Sequence, residues 1–301
     1  MSKKRFNAED IVLDTIIYIF LILTALVTLY PFVNIIAVSF NDALDTIRGG
    51  IYFWPRKWTL KNYNIILSNP EIYHAAVISV IRTVLGTFLG IICSLLVAYP
   101  LSRKDFVLRK GAAAILVFTM YFSGGLIPTY LLMRYLNLLN TFWVYIIPNL
   151  IGMFNVIVLR SYIETLPGSI IESAKIDGAS EFRILFTIIL PLSMPAIATI
   201  ALFIGVGHWN SWFDVYLYNP QRPELSTLQF ELQKILASVS MQTSRNPNFE
   251  AGSMTQQMQA VTPESVRAAM TIVAVAPILF VYPFLQRYFV KGLTIGSVKG
   301  E

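Results

Sequence analysis

Between positions 167 and 191 the chain carries residues whose types and spacing suit mechanical work rather than bond-making. Ser169 stands three residues before Glu172, the spacing of a capping box, in which a hydroxyl and a carboxylate accept hydrogen bonds from each other's backbone N–H groups at a helix start. Gly178 follows about two turns later and readily takes the left-handed conformation that ends a helix. Ser180 is placed to cap a second helix running to Pro191. The spacing predicts a short helix opening after Pro167 and Gly168, a glycine turn and another helix, with Ile170, Ile171 and Ala174 near one face. A second concentration, Gly-His-Trp-Asn-Ser-Trp-Phe-Asp-Val-Tyr, occupies 207–216, with Trp209 and Trp212 spaced to share a helical face. Two readings of it stay open. An aromatic belt at the membrane surface explains the rings, whereas a water-lined path also explains the amide of Asn210, a paired donor and acceptor. Nothing resembles a catalytic centre. His74 and His208 lack ligand-spaced companions, Cys93 is the lone cysteine, and no GxxxxGK[ST] element is present to cradle ATP phosphates.

These groups must be positioned by a chain that is 55% hydrophobic and 13% charged, with a mean hydropathy of +0.62. Soluble domains carry about 25% charged residues. The apolar residues gather into six runs long enough to cross a bilayer: 11–38, 75–99, 112–132, 141–159, 188–216 and 268–289. The first follows Lys3, Lys4 and Arg5 like a signal peptide, but it is too long and lacks a small-residue cleavage site. With the N-terminus inside, thirteen basic residues fall in cytoplasmic segments and nine outside, leaving Arg82 within the second run. Both termini are therefore predicted cytoplasmic, and the net charge of +6 reads as a topology signal facing anionic lipid rather than nucleic acid. Arg82 is expected to pair within the bundle or to snorkel, and Gly86 with Gly90 forms a helix-packing spacing. Segments 41–74 and 217–267 are long enough to fold outside. In the second, Ser226 is expected to cap an amphipathic helix through Leu236, 238–262 reads as polar and mobile, and Thr262-Pro263-Glu264 starts the last helix. The fold class is an all-α integral membrane bundle in one domain, 1–301, with a cytoplasmic loop at 160–187.

The 167–191 loop resembles the EAA motif of binding-protein-dependent ABC permeases: Glu-Ala-Ala, three residues, Gly, nine residues, Ile-x-Leu-Pro. Glu172, Ser173, Ala174, Gly178, Ile188, Leu190 and Pro191 match it, with Ser173 standing where the motif has Ala. The likeness extends to Ala-Tyr-Pro-Leu-Ser-Arg at 98–103, Leu-Asn-Thr at 139–141, Trp209-Asn210 and the glycine-flanked tail 292–300. Together these are similar to permeases of carbohydrate importers. The stretch 122–130 is closer to a branch associated with larger or acidic oligosaccharides.

The resemblance implies a six-helix permease of the type I ABC importer class that forms half of a translocation pathway for a sugar. It implies ATPase coupling through Glu172, Ser173, Ala174, Asp177, Gly178 and Ala179, and a tail at Thr294, Gly296, Val298 and Lys299 that reaches between ATPase subunits. Trp209, Asn210, Trp212 and Phe213 are the candidates for the solute path, where rings stack on sugar C–H faces. The implied partners are a second permease, two copies of a cytoplasmic ATPase that bind ATP and Mg2+, and an external, lipoprotein-type solute-binding protein. The chain itself is then no enzyme and holds no cofactor or metal, and its place is the bacterial plasma membrane. A peptide or polyamine importer shares the loop and stays an alternative. An ion-coupled transporter would have to use Asp14 or Asp214.

Overall fold

The computed structural model describes residues 8–245 and 263–297. Their regular secondary structure is helical, with one isolated β-bridge, Asn41 with Trp58, and the chain divides into two compact units, residues 1–69 with 234–275 and residues 70–233 with 276–301.

The first unit is led by α1, Ala8–Ser39, whose apolar side chains are exposed along the single chain. A polar cap follows it. Helix α2, Ala43–Ile47, is capped by the Asp42 carboxylate, which accepts from the Leu44 and Asp45 N–H groups. Buried Asn41 donates to Asp45 Oδ2 and Thr46 Oγ1 and accepts from the Lys57 N–H. Asn62 of α3, Lys61–Leu67, donates to the carbonyls of Ser39 and Asn41. The short segment is thus ordered by hydrogen bonds from the buried Asn41 and Asn62 amides rather than by an apolar core.

The second unit is built on α4, Pro70–Ser102, packed against α7, Met153–Ile163, and α11, Met194–Asn210. Small residues let α4 and α11 approach closely: Gly90 faces Ile204 and Gly205 faces Thr87. A Cβ at Gly86 would lie 2.4 Å from the His208 imidazole, so the helix-packing spacing of Gly86 and Gly90 is used here.

Among the described residues three helices are long and apolar enough to cross a membrane: Ile11–Ser39, Pro70–Ser102 and Glu264–Val281 within α14, Pro263–Ser297. Three further crossings are available only if bent pairs are counted as one each. Each of the runs at 112–132, 141–159 and 188–216 is a broken rather than a continuous helix. The first is α5, Arg109–Tyr121, and α6, Leu126–Tyr135, meeting at 116°. Gly125 makes that break with φ +89, a conformation costly to any residue with a Cβ. The second opens as tight 3₁₀ turns, Phe142–Tyr145 and Ile147–Asn149 around Pro148, and becomes α-helical only at Met153, with a bend of 48°. The third bends by 83° between Glu181–Leu192 and α11, where Pro191 and Pro195 flank Ser193. Leu185–Ile189 forms a π-turn just before that bend, with the Leu190 N–H bonded to the Leu185 carbonyl. The polar stretch expected to be mobile from 238 is helical as far as Arg245, within α13, Leu228–Arg245; its remainder, 246–262, lies outside the described residues.

Candidate functional site

Helix α8, Gly168–Ile176, forms the first half of the loop that carries Glu172. It starts with Pro167 in extended backbone at the cap and no side-chain cap bond, so the expected Ser169–Glu172 box is not made. The Ile170 N–H reaches the Pro167 carbonyl at 3.3 Å, closing a tight first turn that draws Ser169 inside the helix. The glycine stop does form. Gly178 has φ +75, its N–H bonds the Lys175 carbonyl, and the Ala179 N–H bonds the Ala174 carbonyl, both at 3.0 Å. That pair of bonds is a Schellman stop. Ser180 then caps α9, Glu181–Ile184, by accepting from the Arg183 N–H.

The expected apolar face is narrower than the sequence spacing implied. Ile171 and Ala174 are buried in one core with Leu95, Ala98 and Tyr99 of α4, Val156 and Leu159 of α7, and Ile184 and Ile189. Ile170 lies outside it, exposed at the surface. Glu172, Ser173, Asp177 and Gly178 are exposed, Ala179 is half-buried, and Ala174 alone of the six candidate coupling residues faces inward. The edge that carries Glu172 is therefore presented outward from a helix whose opposite edge is part of the core.

Ion pairs and a hydrogen bond that sequence reasoning missed tie this loop to itself, to Tyr99 of α4 and to Asp105 just after that helix. Lys175 Nζ lies 2.7 Å from Glu181 Oε1 across the glycine turn and 3.4 Å from Asp105 Oδ2. The Tyr99 hydroxyl donates to Glu181 Oε2 at 2.5 Å. Its Lys175 and Tyr99 partners hold the Glu181 carboxyl below the usual carboxylate range, and Glu181 in turn raises the Lys175 ammonium. Arg103 pairs with Asp105, and an open cavity of 360 Å³ lies beside them, lined among others by Tyr99, Phe106, Phe182 and Leu185. Unlike charges six apart, Lys175 and Glu181, are the signal in the sequence, but only the chain reversal at Gly178 brings them together.

The second candidate group is split by a break in the helix. Helix α11 ends at Asn210, Ser211 is extended, and a new helix, α12, runs over Phe213–Tyr218. Trp209 and Trp212 therefore do not share one helical face, contrary to their spacing. Trp209 is buried, Trp212 is half-buried, and Phe213 and Asn210 are exposed, the Asn210 Oδ1 accepting from Gln229 Nε2 at 3.3 Å. The break leaves the Ser211 carbonyl without a helical partner, and Arg82 Nη1 donates to it at 3.2 Å. Arg82 also holds the Asp214 carboxylate through both terminal nitrogens, and its guanidinium lies 4.6 Å above the Tyr145 ring. Tyr145 in turn donates to the Leu225 carbonyl at 2.7 Å, and Ser79 of α4 accepts from the Leu228 N–H that opens α13. The expected cap at Ser226 is shifted by one residue. Thr227 Oγ1 accepts from the Phe230 N–H, while Ser226 bonds the Glu231 carboxylate.

Thr294 and Gly296 fall within the last turns of α14, whereas Val298 and Lys299 lie outside the described residues. Among the described residues no group of three or more His, Cys, Asp and Glu side chains is arranged to hold a metal.

Comparison with known proteins places these features in context. The chain is 39% identical over 289 residues to the polygalacturonan/rhamnogalacturonan transport system permease protein YtcP of Bacillus subtilis, covering 95% of this chain and 98% of that one. It is 29% identical to the trehalose/maltose transport system permease protein MalG of Thermococcus litoralis, over 97% and 99% of the two chains. A crystal structure of a bacterial ABC transporter involved in the import of the acidic polysaccharide alginate superposes with a TM-score of 0.85 at 26% identity, covering 95% of this chain and all of that one. Residues 3–295 match the family described as "binding-protein-dependent transport system inner membrane component", and the chain belongs to that family.

Proposed function

We propose that this chain is one of two permease subunits of an ATP-driven importer of oligosaccharides, of the acidic, uronate-containing kind. The two relatives named for acidic polysaccharides support the substrate class. In this reading the 160–187 loop and both termini are cytoplasmic, six crossings form the membrane domain, and the 217–267 segment faces the external solute-binding protein. ATP and Mg2+ sit on two cytoplasmic ATPase subunits, and their closure displaces α8 so that the bundle opens outward. The peptide and polyamine alternative has no support among these relatives. The ion-coupled alternative loses one of its two carboxylates, because Asp214 is neutralised by Arg82.

One observation carries the coupling role. Helix α8 is stopped by a Schellman turn, keyed into the bundle core by Ile171 and Ala174, and leaves Glu172 and Asp177 outward. A rigid helix rooted in that core passes a displacement on, whereas a loose loop would absorb it. The test is reconstitution with the second permease and the ATPase in proteoliposomes. Glu172→Lys is expected to abolish binding-protein-stimulated ATP hydrolysis while leaving the permease pair assembled; unchanged stimulation overturns the coupling role. Uptake of oligogalacturonides over neutral maltooligosaccharides of equal length is expected, and the reverse preference overturns the substrate class.

A further inference from the structure

Between Asp14 and Asn34, α1 carries neither a charge nor a side-chain amide. That run spans about 28 Å at 1.5 Å per residue, close to the thickness of a bilayer's hydrocarbon core. Asn34 therefore marks one boundary of the core, and the cap around Asn41, Asp45 and Asn62 lies beyond it, in water. The loop that follows α2 does not stay with the cap. Gly49 and Gly50, at φ +68 and +73, turn the chain back, and Arg56 holds the turn by donating to the Gly49 carbonyl at 2.7 Å while pairing with Asp45. The returning segment then lies along the end of α1. Asn34 Nδ2 donates to the carbonyls of Ile51 and Tyr52, and the Phe53 ring meets the Tyr30 ring at 5.4 Å. Tyr52, Phe53 and Trp54 are thus set at the level of Tyr30 to Asn34, and each is more than three-fifths exposed. Trp58, also exposed, stacks edge-on against Trp54 at 5.2 Å. Arg48, Lys57 and Lys61 in the same segment are exposed and make no ion pair among the described residues.

We infer that residues 51–58 are an interfacial anchor that seats its aromatic rings in the headgroup boundary of the outer leaflet, against anionic phospholipid. Three features favour this occupant. The depth is set by contacts to α1 itself, at the one level of the bilayer where amphipathic rings are at home. Exposed cations that make no close ion pair among the described residues, Arg48, Lys57 and Lys61, occur in the same segment, as an anionic surface requires. The buried amide network fixes the loop's height, so the rings are presented without further ordering. The inference does not depend on which solute the importer carries.

The test uses the complete transporter, with Cys93→Ser as background, in vesicles of phosphatidylethanolamine and phosphatidylglycerol. A nitroxide at Phe53→Cys is compared with one at Leu23→Cys, within α1, and one at Leu44→Cys, on the cap. Collision with oxygen and with a water-soluble nickel chelate is read by electron paramagnetic resonance. The label at 53 is expected to be several-fold less accessible to nickel than the label at 44 while remaining accessible to oxygen. Equal nickel accessibility at 53 and 44 overturns the proposal, because the loop is then in water. Low accessibility to both reagents also overturns it, because protein then covers the rings. Replacing phosphatidylglycerol by phosphatidylcholine is expected to raise nickel accessibility at 53; an unchanged value overturns the anionic part.

Discussion

Removing Asp214 should do more harm than removing the arginine that it neutralises. The Arg82 side chain is 1% exposed and Asp214 is 14% exposed, so Asp214→Ala strands a guanidinium with almost no access to water. Breaking a buried pair from one side costs about 3–5 kcal/mol. Arg82 keeps the Ser211 carbonyl and the Tyr145 ring, which puts the expected loss at the lower end, about 3 kcal/mol. For a chain of this size, at roughly 2 °C per kcal/mol, the apparent melting temperature falls by about 6 °C. Arg82→Met leaves a carboxylate that still accepts from the Val215 N–H at 3.0 Å and is closer to solvent, so its loss should be smaller. The double change Arg82→Met with Asp214→Leu removes both charges and should return to within about 1 kcal/mol of the original. Fluorescence-detected size-exclusion chromatography after heating, on the assembled transporter, measures all three. Two results refute the reasoning: Asp214→Ala melting like the parent, or the double variant melting as low as Asp214→Ala.

Two further outcomes test the coupling loop. Gly178→Ala forces a residue with a Cβ into the left-handed region, a strain of about 1–2 kcal/mol, and should lower binding-protein-stimulated ATP hydrolysis without loss of the assembled complex; normal stimulation contradicts the rigid stop. The depressed Glu181 carboxyl contributes above the ordinary carboxylate range and its contribution is lost as pH falls through its lowered value, while the raised Lys175 contributes below the ordinary ammonium range and is lost as pH rises through its higher one. Lys175→Met should therefore move the acid limb of the stimulated-hydrolysis pH profile toward neutrality, and an unmoved limb counts against a role for the pair.

The elements that the sequence made legible share a local cause. Gly178 announced a helix stop because few residues take its φ, Ser180 announced a cap, and Pro263 with Glu264 announced the start of α14. Hydropathy marked where the chain can cross a bilayer, yet it is blind to direction within each run. Gly125, Pro148 and the Pro191–Pro195 pair sit inside apolar stretches and turn the backbone while each stretch stays apolar enough to count as a crossing. Helix α8 starts ahead of the expected Ser169 cap because the tight first turn closed by Ile170 takes the place of a side-chain box worth only about 1 kcal/mol. Position 212 departs from its expected face for a different reason. Helical spacing assumes an unbroken helix, and the break at Ser211 is held open by Arg82, 129 residues earlier in the chain. The Arg82–Asp214 pair could be sensed only as one basic and one acidic residue in separate apolar runs, since no local rule connects them.

The same pair has an electrical consequence. A single elementary charge carried across a membrane potential of 100 mV is worth about 2.3 kcal/mol. Arg82 and Asp214 sum to zero, and the bond joins α4 to the first turn of α12, so any motion that carries both together moves no net charge through the field. A cell's changing voltage therefore gains no purchase on the bundle through this site, and only a motion that separates the two partners would let it do so.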